Sequence, residues 1–527
     1  MQQAGMTAAT AGLLSGKPAA IAEIAPDSPL EIRVLDASGQ PAATGDLESL
    51  YFLSLTEEPL PQGARQIVPG RVIYQKPPPF PVTIAARLPV PEFGQVTLYA
   101  DNQGRGYNPT DFPINLPLES AHTRLQRVQS ALDRWQQASF SFSLEVKQPL
   151  AKARAYLAAL ATTPTEAARQ QLVYKALAAG LWAGERATLE RAQQRIQRQG
   201  PRPDFLFGCN CFGHPDTGPE YDRRLRELFN FATLGLYWQG FEPQAGQPNF
   251  ARSDGIVDWL ERSQITPKGH PLVWFHPAGI PDWLRNQPYE QVKPLIQQRI
   301  RQVVQRYGDR IPYYDVINEA NLVPWANELN YSQAQLLELS QLATRTVGES
   351  HPSVRRIINL FGLWAEYIPQ AAADLPADRR PLSPYQYLQN CLTAGVSFEV
   401  IGIQLYYPNQ DMFEIDRQLD RFSQLGKPIH ITELGVSSAA TIDPQAIIPQ
   451  PRGLWHAPWS EAIQADWIEQ FYTLCYSKPY IQAVSWWDLH DRGHFWPHGG
   501  LLRADLTPKT AYYRLQELLA QFRQLQP

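Results

Sequence analysis

The chain has 527 residues, 44% of them hydrophobic and 19% charged, enough apolar content for two or three packed domains. A formal charge of −4 with no basic run excludes the electrostatic footprint of a nucleic-acid binder, and no run of about 18 apolar residues offers a membrane span. Cysteines at 209, 211, 391 and 475 are too scattered for a disulfide framework or a metal set.

Residues 1–25 read as an N-terminal tail without the basic start or apolar run of a secretory signal. As the sequence stands this predicts a cytoplasmic protein, and a secreted one if a leader has been removed. From 26 to 115 short strands alternate with turns. Leu30, Ile32 and Val34 alternate before a turn at Asp36 to Gly39, and "PVTIAARLPVPEFGQVTLYADNQGRGY" carries two more strands after a proline cluster at 76–81 that reads as a loop. The expectation is a small β-sandwich domain, serving either as a carbohydrate-binding module or as a stabilising lid. From 116 to 203 the pattern turns helical and predicts a connector. Leu118, Leu125, Val128, Leu132 and Trp135 share one helical stripe. In the next helix Thr163 is the expected N-cap, with Pro164 at the first helical position, Glu166 completing a capping box, and Gly200 as the stop. Trp182, Leu189, Ala192 and Ile196 form a second stripe, expected to dock on the C-terminal domain; the arginines between 186 and 202 read as a solvated face.

From 204 to 527, eight apolar runs interleave with helical segments: "FLFGCN", "FATLGLYW", "TPKGHPLVW", "YYDVINE", "RRIINLF", "VIGIQLYY", "PIHITELG" and "QAVSWWDLH". The alternation and the count predict an α/β fold, a closed (β/α)8 TIM barrel. Neither a G-x-G-x-x-G nor a Walker pattern is present, so no nucleotide or other cofactor is expected. Barrel active sites form at the C-terminal ends of the strands, and polar residues end these runs systematically. His270 and Trp274 end the third, Asn318 and Glu319 the fourth, Asn359 the fifth, Gln404 and Tyr406 the sixth, and Glu433 the seventh; Trp487 and Asp491 follow the eighth. Two glutamates facing each other across a barrel mouth suit glycoside hydrolysis, where one carboxyl must be protonated and the other ionised. The 14 Trp and 23 Tyr supply flat faces with a polar handle, suited to sugar stacking or to a large core.

Together these motifs resemble the family 10 glycoside hydrolases, the retaining xylanase family. "DVINEAN" looks like its acid/base motif and "ITELG" like its nucleophile motif; "KGHPLVWFHPAGIPDWL", "IGIQLYY", "VSWWDLHDRGHFW" and "GLLRADLTPKTAYYRLQELL" are similar to its third, sixth and eighth strands and closing helix. The resemblance spans about 204–520. It implies Glu319 as acid/base and Glu433 as nucleophile in a double displacement, with Asn318 on the 2-hydroxyl of the reacting sugar. It further implies that His270, Trp274 and Gln404 hold that sugar or orient the nucleophile, and that the Trp487 indole lies under it. The chain departs from the family on strand two, where the Glu-Asn-x-x-Lys cluster that grips the next sugar is replaced in "FATLGLYWQGFEPQAGQPNF" by Thr233, Leu234 and Tyr237, an apolar and aromatic wall followed by Trp238. The family's strand-six histidine is Tyr406 here, and its "YINDYN" of strand five becomes "IINLFGLW", with Asn359 as the polar residue. A site with fewer donors rejects a wrong sugar less well.

The sequence is therefore read as a hydrolase of β-linked polysaccharide, endo-β-1,4-xylanase first and another β-glycan hydrolase second, with a catalytically silent glycan-binding protein as the alternative of another class. A polysaccharide or oligosaccharide is the expected partner, with neither nucleic acid nor membrane. In "HDRGHFWPH", Gly493 and Pro497 interrupt any helix that could align His490, His494 and His498, so no metal is expected. Trp283 and Trp325 are read equally as loop platforms for sugar or as local packing.

Overall fold

The computed structural model describes residues 30–75, 79–321, 326–371, 375–406, 409–451 and 453–525; Trp325, the 1–25 tail and part of the proline loop lie outside them. Short strands open the described chain: β1 (Leu30–Arg33), β2 (Tyr51–Leu53), β3 (Arg65–Val68), β4 (Arg71–Tyr74), β5 (Thr83–Val90), β6 (Gly94–Ala100) and β7 (Ile114–Asn115). They form two sheets, ordered β3-β4-β1-β7 and β2-β5-β6. The turn after β1 follows from its chemistry. Asp36 Oδ1 accepts from the N–H groups of Ser38 (2.8 Å) and Gln40 (2.9 Å), and Gly39 adopts φ +80°.

Three long helices come next: α1 (Leu116–Gln137), α2 (Leu144–Ala159) and α3 (Glu166–Gln199). The last begins two residues later than expected. Thr163 closes a 3-10 turn and donates its hydroxyl to the Ala159 carbonyl (2.8 Å), so Thr165 caps the helix instead, accepting from Ala168 N (3.3 Å). Gly200, at φ +70°, ends it as the sequence predicts. The hydrophobic core of the two sheets, with Ile32, Val72, Ile84 and Leu98, continues into Ala121 of α1 and Val173, Leu177 and Leu181 of α3. The β region and the helices thus share one core across residue 116.

The remainder is a closed parallel barrel. Its strands are β8 (Leu206–Asn210), β9 (Phe231–Gly235), β10 (Thr266–His270), β11 (Val273–Trp274), β12 (Tyr313–Asn318), β13 (Arg355–Leu360), β14 (Val400–Leu405), β15 (Ile429–Leu434) and β16 (Ile481–Trp486). Neighbouring strands pair in parallel around the barrel, β10 and β11 both onto β12, and β16 pairs back onto β8. The third barrel strand is interrupted at Pro271, which has no N–H to give the ladder; β10 pairs with the lower part of β12 and β11 with its upper part. Strands β14 and β15 are buried at every position, as expected of a parallel sheet covered on both faces.

The N-terminal body is fixed to the barrel by charge. The barrel helix α4 (Met412–Ser423) presents buried Glu414, which lies 3.3 Å from both Arg124 and Arg127 and 2.8 Å from Arg417. Arg127 also reaches Asp101 (2.9 Å) and Glu57 (3.4 Å), Arg417 reaches Glu57 (2.7 Å), Arg124 pairs with Asp411, and Arg421 pairs with Glu58. Further along α3, Trp182 stacks on His456, with ring centroids 4.5 Å apart. Ile196 enters the barrel core itself, so this stripe docks as the sequence suggests. Burial opposes the charge on Glu414, but the arginines outweigh it and hold its pKa down at about 2. Its pairing therefore stabilises the fold fully above about pH 4.5, and that contribution is lost as pH falls towards 2. Replacing Glu414 with Gln removes the one buried anion that Arg124, Arg127 and Arg417 share and should cost about 3–5 kcal/mol near neutral pH. Thermal melts of the two proteins should converge as the pH is lowered through that window; a constant gap would refute the ion-pair account.

Candidate active site

The site is assembled by strand register. Asn318 at the end of β12 lies beside Trp274 of β11 and Asn359 of β13, and Gln404 of β14 lies beside Glu433 of β15. Glu319 is the first residue past β12. Its N–H donates to the Asn359 carbonyl (2.8 Å) and its backbone takes φ +55°, a left-handed conformation that costs a non-glycine residue about 1 kcal/mol or more. That turn projects the carboxyl into the barrel mouth, where Glu319 Oε2 accepts from Trp274 Nε1 (3.0 Å).

Glu433 sits among donors. Its Oε1 accepts from Asn359 Nδ2 (3.0 Å) and its Oε2 from the Tyr406 hydroxyl (2.7 Å), while His270 Nε2 lies 3.9 Å from Oε1. Asn359 Nδ2 also donates to Asn318 Oδ1 (2.8 Å), which accepts in addition from Gln404 Nε2 (3.3 Å); Thr432 donates its hydroxyl to Asn359 Oδ1. Gly402 makes room for this web, because a Cβ there would stand 2.7 Å from Asn359 Oδ1. Behind it lies a charged relay that reasoning from strand ends missed. Asp315 Oδ2 accepts from Lys268 Nζ (2.7 Å) and contacts His270 Nδ1 (2.7 Å), all three side chains being buried. Burial would raise the Asp315 pKa, but Lys268 and His270 hold it below the usual range. The ionised Asp315 fixes the imidazole with its other nitrogen towards Glu433. Lys268 and His270, two apart on one strand and hence on one face, were the available signal.

The two glutamates open into a cleft of about 1420 Å³ whose lining includes His270, Trp274, Asn318, Gln404, Tyr406, Trp487 and Tyr237. Trp487 meets His270 edge to face, with centroids 5.4 Å apart. Other expected contacts do not reach the cleft. Trp238 opens a helical turn (Trp238–Phe241) that buries its indole, whose N–H donates to Glu242 Oε2 (2.8 Å). Thr233 and Leu234 are fully buried within β9, so only Tyr237 of the strand-two wall faces the cleft. Asn359 is wholly buried and acts on Asn318 and Glu433 rather than on the cavity. Trp283 packs against Trp238 and donates to the Glu242 carbonyl (2.9 Å), and Asp491 bonds Gly500 N (2.8 Å) and Lys509 (2.5 Å). Of the three histidines, His490 lies edge-on to Tyr221, while His494 (2.7 Å) and His498 (3.4 Å) both contact Asp443, and His498 also contacts Thr441 (3.2 Å). Trp364, Glu366 and Asp488 line the cleft without having been singled out from the sequence; they lie on loops, where no periodic pattern marks them.

Burial pushes both carboxyls up to about 7. The Gln404 and Trp274 donors oppose this at Glu319; at Glu433 the His270 imidazole opposes it most, the neighbouring Glu319 adds to it, and the Tyr406 hydroxyl and Lys268 oppose it. The donor set is richer at Glu433, which favours Glu433 as the anion and Glu319 as the proton carrier. Because both groups hold protons more tightly when folded than at their ordinary 4.5, the stability of the protonated forms is complete below about pH 4.5 and is lost as pH rises through about 7. Glu319→Gln should therefore raise the Tm by about 2 °C or more at pH of about 8, and calorimetry should find this advantage gone near pH 4.5. An equal gain at both pH values would contradict the assignment of burial as the cause.

Residues 214–518 match the family described as Glycosyl hydrolase family 10. The chain is 24% identical over 341 residues to endo-1,4-beta-xylanase B of Thermotoga neapolitana, covering 60% of this chain and 87% of that protein. It is 23% identical over 270 residues to an exoglucanase of Acetivibrio thermocellus, where the match covers 48% of this chain and only 22% of the relative. It also spans only 24% of endo-1,4-beta-xylanase 2 of Arabidopsis thaliana. Among solved structures, native xylanase 10B of Thermotoga maritima aligns with TM-score 0.47 at 20% identity, over 63% of this chain and 98% of that one. With the family match covering more than half of its length, the chain belongs to glycosyl hydrolase family 10 and is a glycoside hydrolase.

Proposed function

We propose that the protein cleaves β-1,4-linked xylan with retention of configuration, Glu319 acting as general acid/base and Glu433 as nucleophile. The observation that carries this reading is the unequal hydrogen bonding of two carboxyls buried at one barrel mouth. Glu433, with the Tyr406 hydroxyl on one oxygen and the Asn359 amide on the other, has the richer donor set for an anion and is oriented for attack on an anomeric carbon. Glu319, carrying the proton, gives it to the departing glycosidic oxygen and then takes one from the water that releases the glycosyl-enzyme. Trp274 N–H fixes the rotamer of Glu319. Asn318, with its Oδ1 occupied by Asn359 and Gln404, is left with its amide N–H groups for a sugar hydroxyl. Tyr406, in the family's histidine position, serves Glu433 as a neutral donor; burial and the adjacent carboxylate raise its own pKa far out of the working range.

A second reading keeps the chemistry and changes the glycan. Tyr237, where the family carries polar gripping residues, presents an aromatic face to the cleft, and one relative is named an exoglucanase. Both are compatible with a β-glucan substrate.

Reducing-end release from xylan, mixed-linkage β-glucan, cellulose and mannan separates the two readings. Release from xylan, abolished in Glu433→Ala, is the expected result. Release from β-glucan alone transfers the substrate to the second reading, and no release from any polymer sinks both. Glu319→Ala should lower kcat on xylan by about 10²-fold or more and lower it less on an aryl glycoside whose leaving group needs no proton. Proton NMR of the first product should show the β anomer.

A further inference from the structure

The cleft is not walled by the barrel alone. Arg87 of β5 and Tyr51 of β2 line the same cavity as Glu319 and Glu433, yet both lie outside the 214–518 segment that matches the family. They meet two barrel loops, one following β13 and one following β14. Arg87 Nη1 donates to Asn409 Oδ1 (2.9 Å), Asn409 Nδ2 donates to Glu366 Oε2 (3.3 Å), and Thr97 N donates to the Asn409 carbonyl (2.8 Å). Trp364, half-buried, lines the cavity on the same loop as Glu366.

A guanidinium, an amide and a carboxylate linked by hydrogen bonds are planar polar groups that can engage the neighbouring hydroxyls of one sugar ring, and an indole can cover its apolar face. Such a set recognises a glycan unit whether or not the bond being cleaved is near it. The junction is also pre-formed, since the ion pairs from Arg127, Arg417 and Arg421 fix the β region against α4, and a rigid wall binds without a further ordering cost.

We propose that this junction is a glycan subsite, built half by the N-terminal β region and half by the barrel, that holds a sugar unit remote from the reacting bond. The proposal rests on reading the cleft as that of a β-glycan hydrolase. It makes the β region part of the substrate channel, so that long chains gain binding that short ones cannot.

The test is calorimetric titration of linear β-1,4-xylo-oligosaccharides, from disaccharide to hexasaccharide, into Glu433→Ala and into the same protein carrying Arg87→Ala or Trp364→Ala. Affinity should climb with length in the first, and the climb should shrink by about tenfold in each double variant. An undiminished climb in both double variants overturns the subsite, as does failure of every oligosaccharide to bind. A uniform loss at all lengths with a lowered Tm in the Arg87 variant marks that arginine as a docking residue only. Trp364→Ala, which leaves the Arg87–Asn409 contact in place, then decides: a reduced climb supports the subsite and an unreduced one overturns it. Failure of the hydrolase reading looks different, as length-dependent binding without reducing-end release by the unsubstituted protein.

Discussion

Two carboxyl groups, Glu319 and Glu433, are buried at the mouth of one barrel, and much of the surrounding structure answers the cost of keeping them there. Burial raises both to about 7, because an ionised group loses its water and gains only the donors the protein supplies. Glu433 is given a phenol and an amide, with an imidazole close by; Glu319 is given an indole and an amide. The donors in turn need fixing. Asn359 is held by Thr432 and admitted by the missing side chain of Gly402, and His270 is held by Asp315, which Lys268 keeps ionised. A glutamate in a left-handed backbone conformation is sustained by the same arrangement, its N–H tied to the Asn359 carbonyl.

The N-terminal body belongs to the same design on a larger scale. Its sheets and helices share a core, its arginines converge with Arg417 of α4 on Glu414 and Glu57, and Arg421 of α4 pairs with Glu58. Buried ion pairs contribute little net stability compared with apolar packing, but they tolerate only one register of the two surfaces. Here that register sets Arg87 against Asn409 and places the β region on the rim of the cleft. A loosely tethered binding module would have left the cleft walled by the barrel alone.

The barrel was legible because short, largely apolar runs that end in polar side chains alternate with helical segments, a pattern that survives without any knowledge of contacts. The eight runs, His270, Trp274, Asn318, Gln404, Tyr406 and Trp487 were found in this way. The same logic over-reached at Trp238 and Asn359. A residue just past a strand can turn either into the mouth or back into the core, and the helical turn that buries Trp238 carries no signature separable from the strand run before it. Asn359 sits at a strand end but is covered by its neighbours. The cap of α3 was misplaced for a related reason, since Thr163 and Thr165 offer the same hydroxyl and only the preceding 3-10 turn decides between them.

By itself the sequence determined the barrel, the two glutamates and their immediate polar neighbours, because strand period and strand-end chemistry are local properties of the chain. Tertiary structure alone decided the rest: the relay from Lys268 through Asp315 to His270, the pairing of Arg127 with Glu414 and of Arg417 with Glu57, and the meeting of Arg87 with Asn409. Each joins side chains from separate elements, and in the last three pairs partners some 290 to 360 positions apart. Periodicity reports which face of an element is buried and carries no information about which distant residue it is buried against.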